Sequence, residues 1–431
     1  MVNYITDRSS KEEVLSGFEP LIRKWFNHRF ENLTPPQAMA IPLIAKKKNV
    51  LVSSPTGSGK TLTAFLSILN DFFRIHKDGD LETGVHAIYI SPLKALANDI
   101  DRNLKQPLDE MIELAAKGKV DIPEIKVAVR SGDTSLKERA RMVRKPPHIL
   151  ITTPESMSLA LGAKRFRPLM TKLRWLVLDE LHSIVPTKRG TLLSLALALL
   201  DSIIETPVQR IGISATMEPL DEVGRFLVPA GSDSTVYIAK VSGDRELDLD
   251  IILPHPRFSD PTFDYKQILA ANIERILDLV EAHTTTIVFV NTRRMTEEVV
   301  KELRRAIAWD GDAIQAHHGS MNKQIRQEVE QRLKNGELRC VISSSSLELG
   351  IDIGAVDLVI QLGSPGSITT GLQRIGRAGH HVGGIPRARF LPTSPHDLVE
   401  LVALQGAIMS GQMDLLKFPE NCLDVLAQFL I

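Results

Sequence analysis

NVLVSSPTGSGKT, residues 49–61, is the stretch on which the reading of this chain turns. Val50, Leu51 and Val52 form the aliphatic run of a strand buried on both faces, and the run stops at Pro55-Thr56-Gly57-Ser58-Gly59. Beyond it Leu62, Phe65, Leu66, Ile68 and Leu69 recur at helical spacing, so Thr56, Gly57, Ser58 and Gly59 fall in a strand-to-helix turn. Such a turn aims successive backbone N–H groups and the positive end of a helix at one point, where a polyphosphate can sit. Lys60 is expected to reach the β- and γ-phosphates, and Thr61 to offer its hydroxyl to Mg²⁺. The usual pattern has glycine where this chain has Ser54. The competing reading is an ordinary connection with an exposed lysine.

The 431 residues leave room for two or three domains, 43% of them are hydrophobic, and no apolar run is long enough to cross a bilayer. Two cysteines, Cys340 and Cys422, exclude a disulfide framework or a cysteine-rich zinc site. With no charged-then-apolar leader, a soluble cytoplasmic protein is expected. Lys+Arg and Asp+Glu number 52 each, so any contact with a polyanion has to come from a local cleft. Only 5% of residues are aromatic, which favours the phosphate backbone over stacked bases as the handle on nucleic acid.

Residues 1–30 read as helical, with Val14, Leu15, Phe18, Leu21, Ile22 and Trp25 on one face, packed as a lid on the first domain. In LTPPQAMAIPLI, residues 33–44, Thr34 fits an N-cap, Pro35 the first helical position and Gln37 the third. Two readings of Gln37 stand: a capping box, or an amide gripping the adenine edge while Phe30 covers the ring. Strands are expected over 85–91, 125–130 and 149–152, ending beside Lys94, Arg130 and Thr153. At the carboxyl ends of a doubly wound sheet these are candidate contacts to a nucleic-acid backbone, or else caps and solvated surface.

LRWLVLDELH, residues 173–182, supplies acids. A strand over 175–178 delivers Asp179, expected to hold Mg²⁺, and Glu180, expected to activate the water that attacks a γ-phosphate. The strand 210–216 follows, and its Ser214 and Thr216 hydroxyls are candidate relays from His182, which can equally be a structural histidine. From about 236 to 264 the pattern loosens and marks a domain boundary.

The second half repeats the α/β rhythm without a phosphate loop. A strand over 286–290 leads to Asn291-Thr292-Arg293, a segment at 314–319 carries His317-His318, and strands at 339–343 and 356–361 flank SSSLELGIDIG with Gly350 and Asp352. QRIGRAGH, residues 373–380, sets Arg374 and Arg377 three apart, expected on one face of a helix. Fixed guanidiniums there suit a polyphosphate as arginine fingers; a salt-bridged surface helix is the alternative.

SPTGSGKT, SPLKALA, TTPES, DELH, SAT, VFVNTRR, SLELGID and QRIGRAGH together resemble the full motif series of superfamily 2 DExH helicases across nearly the whole chain. TPPQ, SPLKALANDI, RSGDT, HHGS and SSSLELGIDIG further resemble the Lhr family of large helicase-related proteins. The resemblance implies two tandem RecA-like α/β domains with mostly parallel sheets, at 1–238 and 239–415, and a start of a winged helix at 416–431. It implies ATP and Mg²⁺ as cofactors, with Gly350 and Asp352 joining the nucleotide contacts and Thr292 and Arg293 joining those to nucleic acid. It further implies a monomeric motor that moves 3′ to 5′ on single-stranded DNA and opens DNA or RNA–DNA duplexes, in repair or recombination. A nucleotide-gated clamp or annealing factor, without processive movement, is the alternative of a different class.

Overall fold

Every strand pairing among the described residues is parallel. The computed structural model describes residues 1–55, 58–79, 81–92, 94–241, 246–258, 260, 262–307, 310–348, 354–379 and 384–430, and the side chains of all of these except 94–103 and 323. The first sheet contains β1 (Val2–Ile5), β2 (Asn49–Ser53), β3 (Ala87–Ile90), β4 (Val127–Arg130), β5 (Ile149–Thr152), β6 (Trp175–Leu178), β7 (Gln209–Ser214) and β8 (Val236–Lys240), in the order β1-β8-β2-β7-β6-β3-β5-β4. The second contains β9 (Asp248–Ile251), β10 (Thr286–Phe289), β11 (Ile314–His317), β12 (Cys340–Ser343), β13 (Leu358–Leu362) and β14 (Arg387–Leu391), in the order β11-β12-β10-β13-β14-β9.

The alternation of side chains explains why both faces of the first sheet are covered. Val50, Val52, Tyr89, Trp175 and Val177 enter one core with the helix Lys60–Lys77, while Leu51, Ile88, Ile90, Leu176 and Leu178 enter another with the helices that follow β5 and β6. Because all strands run the same way, their carboxyl ends share one rim. Candidate residues separated by more than a hundred positions therefore come to the same edge.

The expectation for residues 1–30 needs correction. Residues 2–5 form β1, which among the described residues pairs with β8 alone, and the helical part breaks into Lys11–Ser16 and Pro20–Arg29. Gly17 ends the first helix and Pro20 opens the second, where a missing N–H costs nothing. The expected apolar face is nonetheless buried: Val14, Leu15, Phe18, Leu21, Ile22 and Trp25 belong to the same core as β2. Three further strands, β8, β9 and β14, lie where no strand was expected.

The chain divides into two compact units, 1–243 with 415–431, and 244–414. In the first, Leu416 N donates to Glu218 O at 2.8 Å, and Leu416, Phe418 and Phe429 pack on the core beneath β6. Among the described residues no helix is long and apolar enough to span a membrane.

Candidate nucleotide and nucleic-acid site

β2 ends in Ser53-Ser54, and the helix Lys60–Lys77 begins after Gly59, whose φ of +81° explains why glycine stands there. A Cβ on Gly59 would also come within 3.2 Å of Gln37 Nε2. The Lys60 ammonium, buried, donates to the carbonyls of Ser54 and Pro55 at 2.6 and 2.8 Å, and Ser58 Oγ donates to Pro55 O at 2.8 Å. The lysine is thus gathered into the turn, the reverse of an exposed surface cation. Thr56 and Gly57 lie outside the described residues.

β7 separates β2 from β6 in the sheet, and β6 ends in Asp179-Glu180. Asp179 is 4% exposed; its Oδ1 accepts from Glu180 N at 2.8 Å and its Oδ2 from the phenol of Tyr89. Tyr89, fully buried on β3 and stacked on Phe65, is in turn hydrogen-bonded by the Thr61 side chain. The two residues expected to hold a metal, Thr61 and Asp179, are therefore linked through one phenol. Burial, and then the charge of Glu180, push the Asp179 carboxyl up to about 7, and desolvation holds the Tyr89 phenol well above its ordinary range.

Glu180 adopts φ +51°, ψ 42°, a left-handed conformation that costs a non-glycine residue about 1 kcal/mol. Among the described residues its buried Oε2 has no hydrogen-bond partner, and it stands 3.4 Å from His182 Nδ1. That nitrogen accepts from Ala215 N at 3.2 Å and lies 3.2 Å from Ser214 Oγ. Burial lowers the His182 pKa, so the imidazole is neutral. Ser214 is fully buried and joins this cluster, whereas Thr216 is half-buried with no side-chain hydrogen bond among the described residues.

The capping role of Gln37 is visible: its Oε1 accepts from Thr34 N at 2.9 Å, which leaves Nε2 directed at Gly59. Cap and phosphate turn are in contact, so the two readings of Gln37 are not exclusive. Phe30 packs its ring on Phe26 at 5.0 Å and Trp25 at 5.9 Å.

Further along the rim, Thr153 caps the helix Pro154–Gly162 through Ser156 N at 3.3 Å and is buried. Arg130, also buried, lays its guanidinium 4.4 Å from the Phe166 ring. Lys94 opens the helix Lys94–Gly118, and its side chain lies outside the described set.

In the second unit, Thr292 caps the helix Arg293–Ala306 through Met295 N at 3.1 Å, and exposed Arg293 bonds Ser320. Arg374 is 6% exposed, donating to Glu348 Oε2 at 2.9 and 3.1 Å and to Gln361 Oε1 at 2.9 Å. The expectation that Arg374 and Arg377 share a helical face is corrected: the helix ends at Ile375, capped at Gly376, and Arg377 turns beyond it with its N–H on Arg374 O. Both side chains are buried. His317 bridges Ser346 at 2.6 Å and Glu330 at 3.1 Å, and His318 bonds Glu297 at 2.7 Å, so the pair ties β11 to the segments that hold these residues. Gly350 and Asp352 lie outside the described residues.

Comparison with known proteins follows the same division. Residues 34–223 match the DEAD/DEAH box helicase family, and residues 270–381 match the helicase conserved C-terminal domain. The chain is 47% identical over 424 residues to the ATP-dependent helicase Lhr-Core of Methanothermobacter thermautotrophicus, and 43% identical over 431 residues to that of Methanocaldococcus jannaschii. The chain belongs to the Lhr helicase family. The alignments cover 97% and 100% of it, and 48% and 50% of those proteins, so it spans about half the length of the curated relatives it matches. The structure of the Mycobacterium smegmatis helicase Lhr bound to ssDNA and AMP-PNP superposes with a TM-score of 0.87 at 42% identity, over 97% of this chain and 53% of that one. Mss116p, at 18% identity and a TM-score of 0.78, shares the fold, and both units of the Lhr-family chain are RecA-like.

Tyr89 is the Lhr-chain residue that motif reading missed. The signal was available in VHAIYIS: a tyrosine in a strand with no exposed face must find a buried acceptor for its hydroxyl. Glu348, which secures Arg374, was passed over in the same way inside SLELGID. The oxygen-rich donors fit Mg²⁺, which takes one or two carboxylates and completes its shell with phosphate and water. Among the described residues no group of three or more His, Cys, Asp or Glu forms a metal cage. The unpartnered Glu180 Oε2 and the raised Asp179 carboxyl mark an acid pair short of a cation.

Proposed function

We propose that this chain hydrolyses ATP and uses the cycle to move 3′ to 5′ along single-stranded DNA, opening DNA or RNA–DNA duplexes. The observation that supports it best is the convergence of Lys60, Thr61, Tyr89, Asp179 and Glu180 at one rim of the first sheet. Lys60 neutralises the terminal phosphates as it leaves the Ser54 and Pro55 carbonyls. Thr61 and Asp179 would hold Mg²⁺, which would supply charge neutralisation to the phosphates. Glu180, aimed by its left-handed backbone, takes the proton of the attacking water. Gln37 senses the base through its Nε2, with Phe30 as its proposed aromatic companion; Arg374 and Arg377 are the proposed nucleotide contacts of the second unit.

Arg130, Thr153, Lys94, Thr292 and Arg293 are the proposed grips on the backbone, and His182, Ser214 and Thr216 carry the state of Glu180 toward them. Work in the cytoplasm, as a monomer, in repair or recombination belongs to the same reading. The M. smegmatis relative's ssDNA and AMP-PNP support the choice of ligands. Glu180→Gln is the test: ATP should still bind while turnover falls by about two orders of magnitude or more. Near-normal hydrolysis would refute the assignment. A nucleotide-gated clamp, without processive movement, is the second reading. ATP consumption on a tailed duplex without strand separation would favour it.

A further inference from the structure

The chain carries equal numbers of cations and anions, 52 each, yet residues 136–145 hold five Lys or Arg against one acid, and residues 164–167 hold three with none. The one acid, Glu138, is committed to its helix cap, accepting from Ser135 N and Oγ at 2.9 and 2.7 Å. Lys137, Arg141 and Arg144 are exposed at i, i+4 and i+7 of the helix Leu136–Arg144, hence on one face of it. Lys164, Arg165 and Arg167 are exposed on the turn after the helix Pro154–Gly162. None of these six forms an ion pair among the described residues.

Packing places the two segments on one flank. Met142 from the helix and Phe166 from the turn enter the same core, and Arg130 at the end of edge strand β4 covers the Phe166 ring. Arg139 donates to Ser131 O at 3.3 Å beside it, and Arg139 Nε is buried without an acceptor among the described residues. Five cations beside one carboxylate on the helix and its cap and three beside none on the turn repel one another, and a polyanion removes that cost while releasing its counterions.

We propose that this flank binds the two phosphate backbones of a duplex arm, continuing outward from the rim where Arg130 is assigned to the tracked strand. Two separate rows of cations, one on the helix and one on the turn, suit two backbones better than a single strand. The inference rests on the nucleic-acid reading above.

The test uses the full chain with Lys137, Arg141 and Arg144 changed together to Gln, and separately with Lys164, Arg165 and Arg167 changed to Gln. Each triple change leaves Met142, Phe166 and the Ser135 cap in place, so melting should match the parent. Affinity is measured against salt for a 3′-tailed duplex and for the tail alone. Each of three lost phosphate contacts lowers the slope of log K on log [salt] by about 0.9 on B-DNA, so a fall of about 2 to 3 is expected on the tailed duplex, with no change on the tail. An unchanged slope on the duplex from both variants overturns the proposal, as does an equal fall on the tail alone. Failure of the unmodified chain to bind either substrate would instead refute the nucleic-acid reading itself.

Discussion

Acidification should weaken the first unit through a histidine far from the proposed chemistry. His148, 7% exposed just before β5, accepts from Lys126 N at 3.2 Å through Nδ1 and lies 6.0 Å from the His86 ring. Burial, then the neighbouring charges of His86 and Lys126, lower its pKa from 6.5 to about 4, with Glu124 acting weakly the other way. A base whose folded pKa is depressed stays neutral in the fold while the unfolded chain takes up a proton. Its contribution is whole above pH 6.5 and is lost as pH falls toward 4. At about 1.4 kcal/mol per unit, moving from pH 7.5 to 5 costs about 2 kcal/mol. Asp179 runs the opposite way: its carboxyl, raised to about 7, is penalised when ionised and relieved on acidification. The unmodified chain alone is therefore a poor reporter. His148→Asn keeps an acceptor for Lys126 N and removes the titration. Urea midpoints of both proteins at the two pH values should diverge by about 2 kcal/mol, the histidine form losing more. Parallel losses, within about 0.5 kcal/mol, would refute the argument.

Tyr89→Phe strips Asp179 Oδ2 of its buried donor, so stability should fall by about 1–3 kcal/mol, more at pH 8 than at pH 6, and the acid limb of ATP turnover should move to higher pH. An unmoved limb would separate Tyr89 from the site. Gly190→Ala should destabilise the first unit by about 1–3 kcal/mol, because the new Cβ would meet Val185 O at 2.7 Å and Ile184 O at 2.8 Å, both backbone; thermal melting reads it. Gln37→Glu retains the acceptor for Thr34 N but replaces the amide that faces Gly59, so melting should hold while the ratio of ATP to GTP turnover changes. An unaltered ratio would leave Gln37 as a cap alone.

What the sequence made legible was whatever sits in a contiguous, strongly patterned run. The buried strands at 149–152 and 175–178 and the turn at Gly59 announce themselves through continuous aliphatic residues followed by special backbone chemistry. β1 did not, because VNYI is four residues long, only partly buried, and defined by a partner more than 230 positions away. β9 did not either, because its Leu249 and Ile251 alternate with Asp248 and Asp250, and the acidic residues disguise the strand as linker. The acid pair was legible, but the phenol that joins Thr61 to Asp179 depends on β3 lying beside β6, which is topology rather than local pattern. Likewise Arg374 and Arg377 were legible as a pair, whereas the helix end between them is fixed by Gly376.

The placement of β1 has a consequence for biosynthesis. Its one neighbour among the described residues, β8, spans Val236–Lys240, and β9 likewise waits on β14, Arg387–Leu391. A ribosome adding about 5–20 residues per second takes on the order of ten to fifty seconds to make the partner that seats residues 2–5. Throughout that interval residues 2–5 offer an unsatisfied strand edge, and a shorter wait recurs between β9 and β14. A chain so arranged closes each sheet only with its last-made strand, which puts the hazard of mispairing in the exit tunnel's vicinity and not in the finished protein.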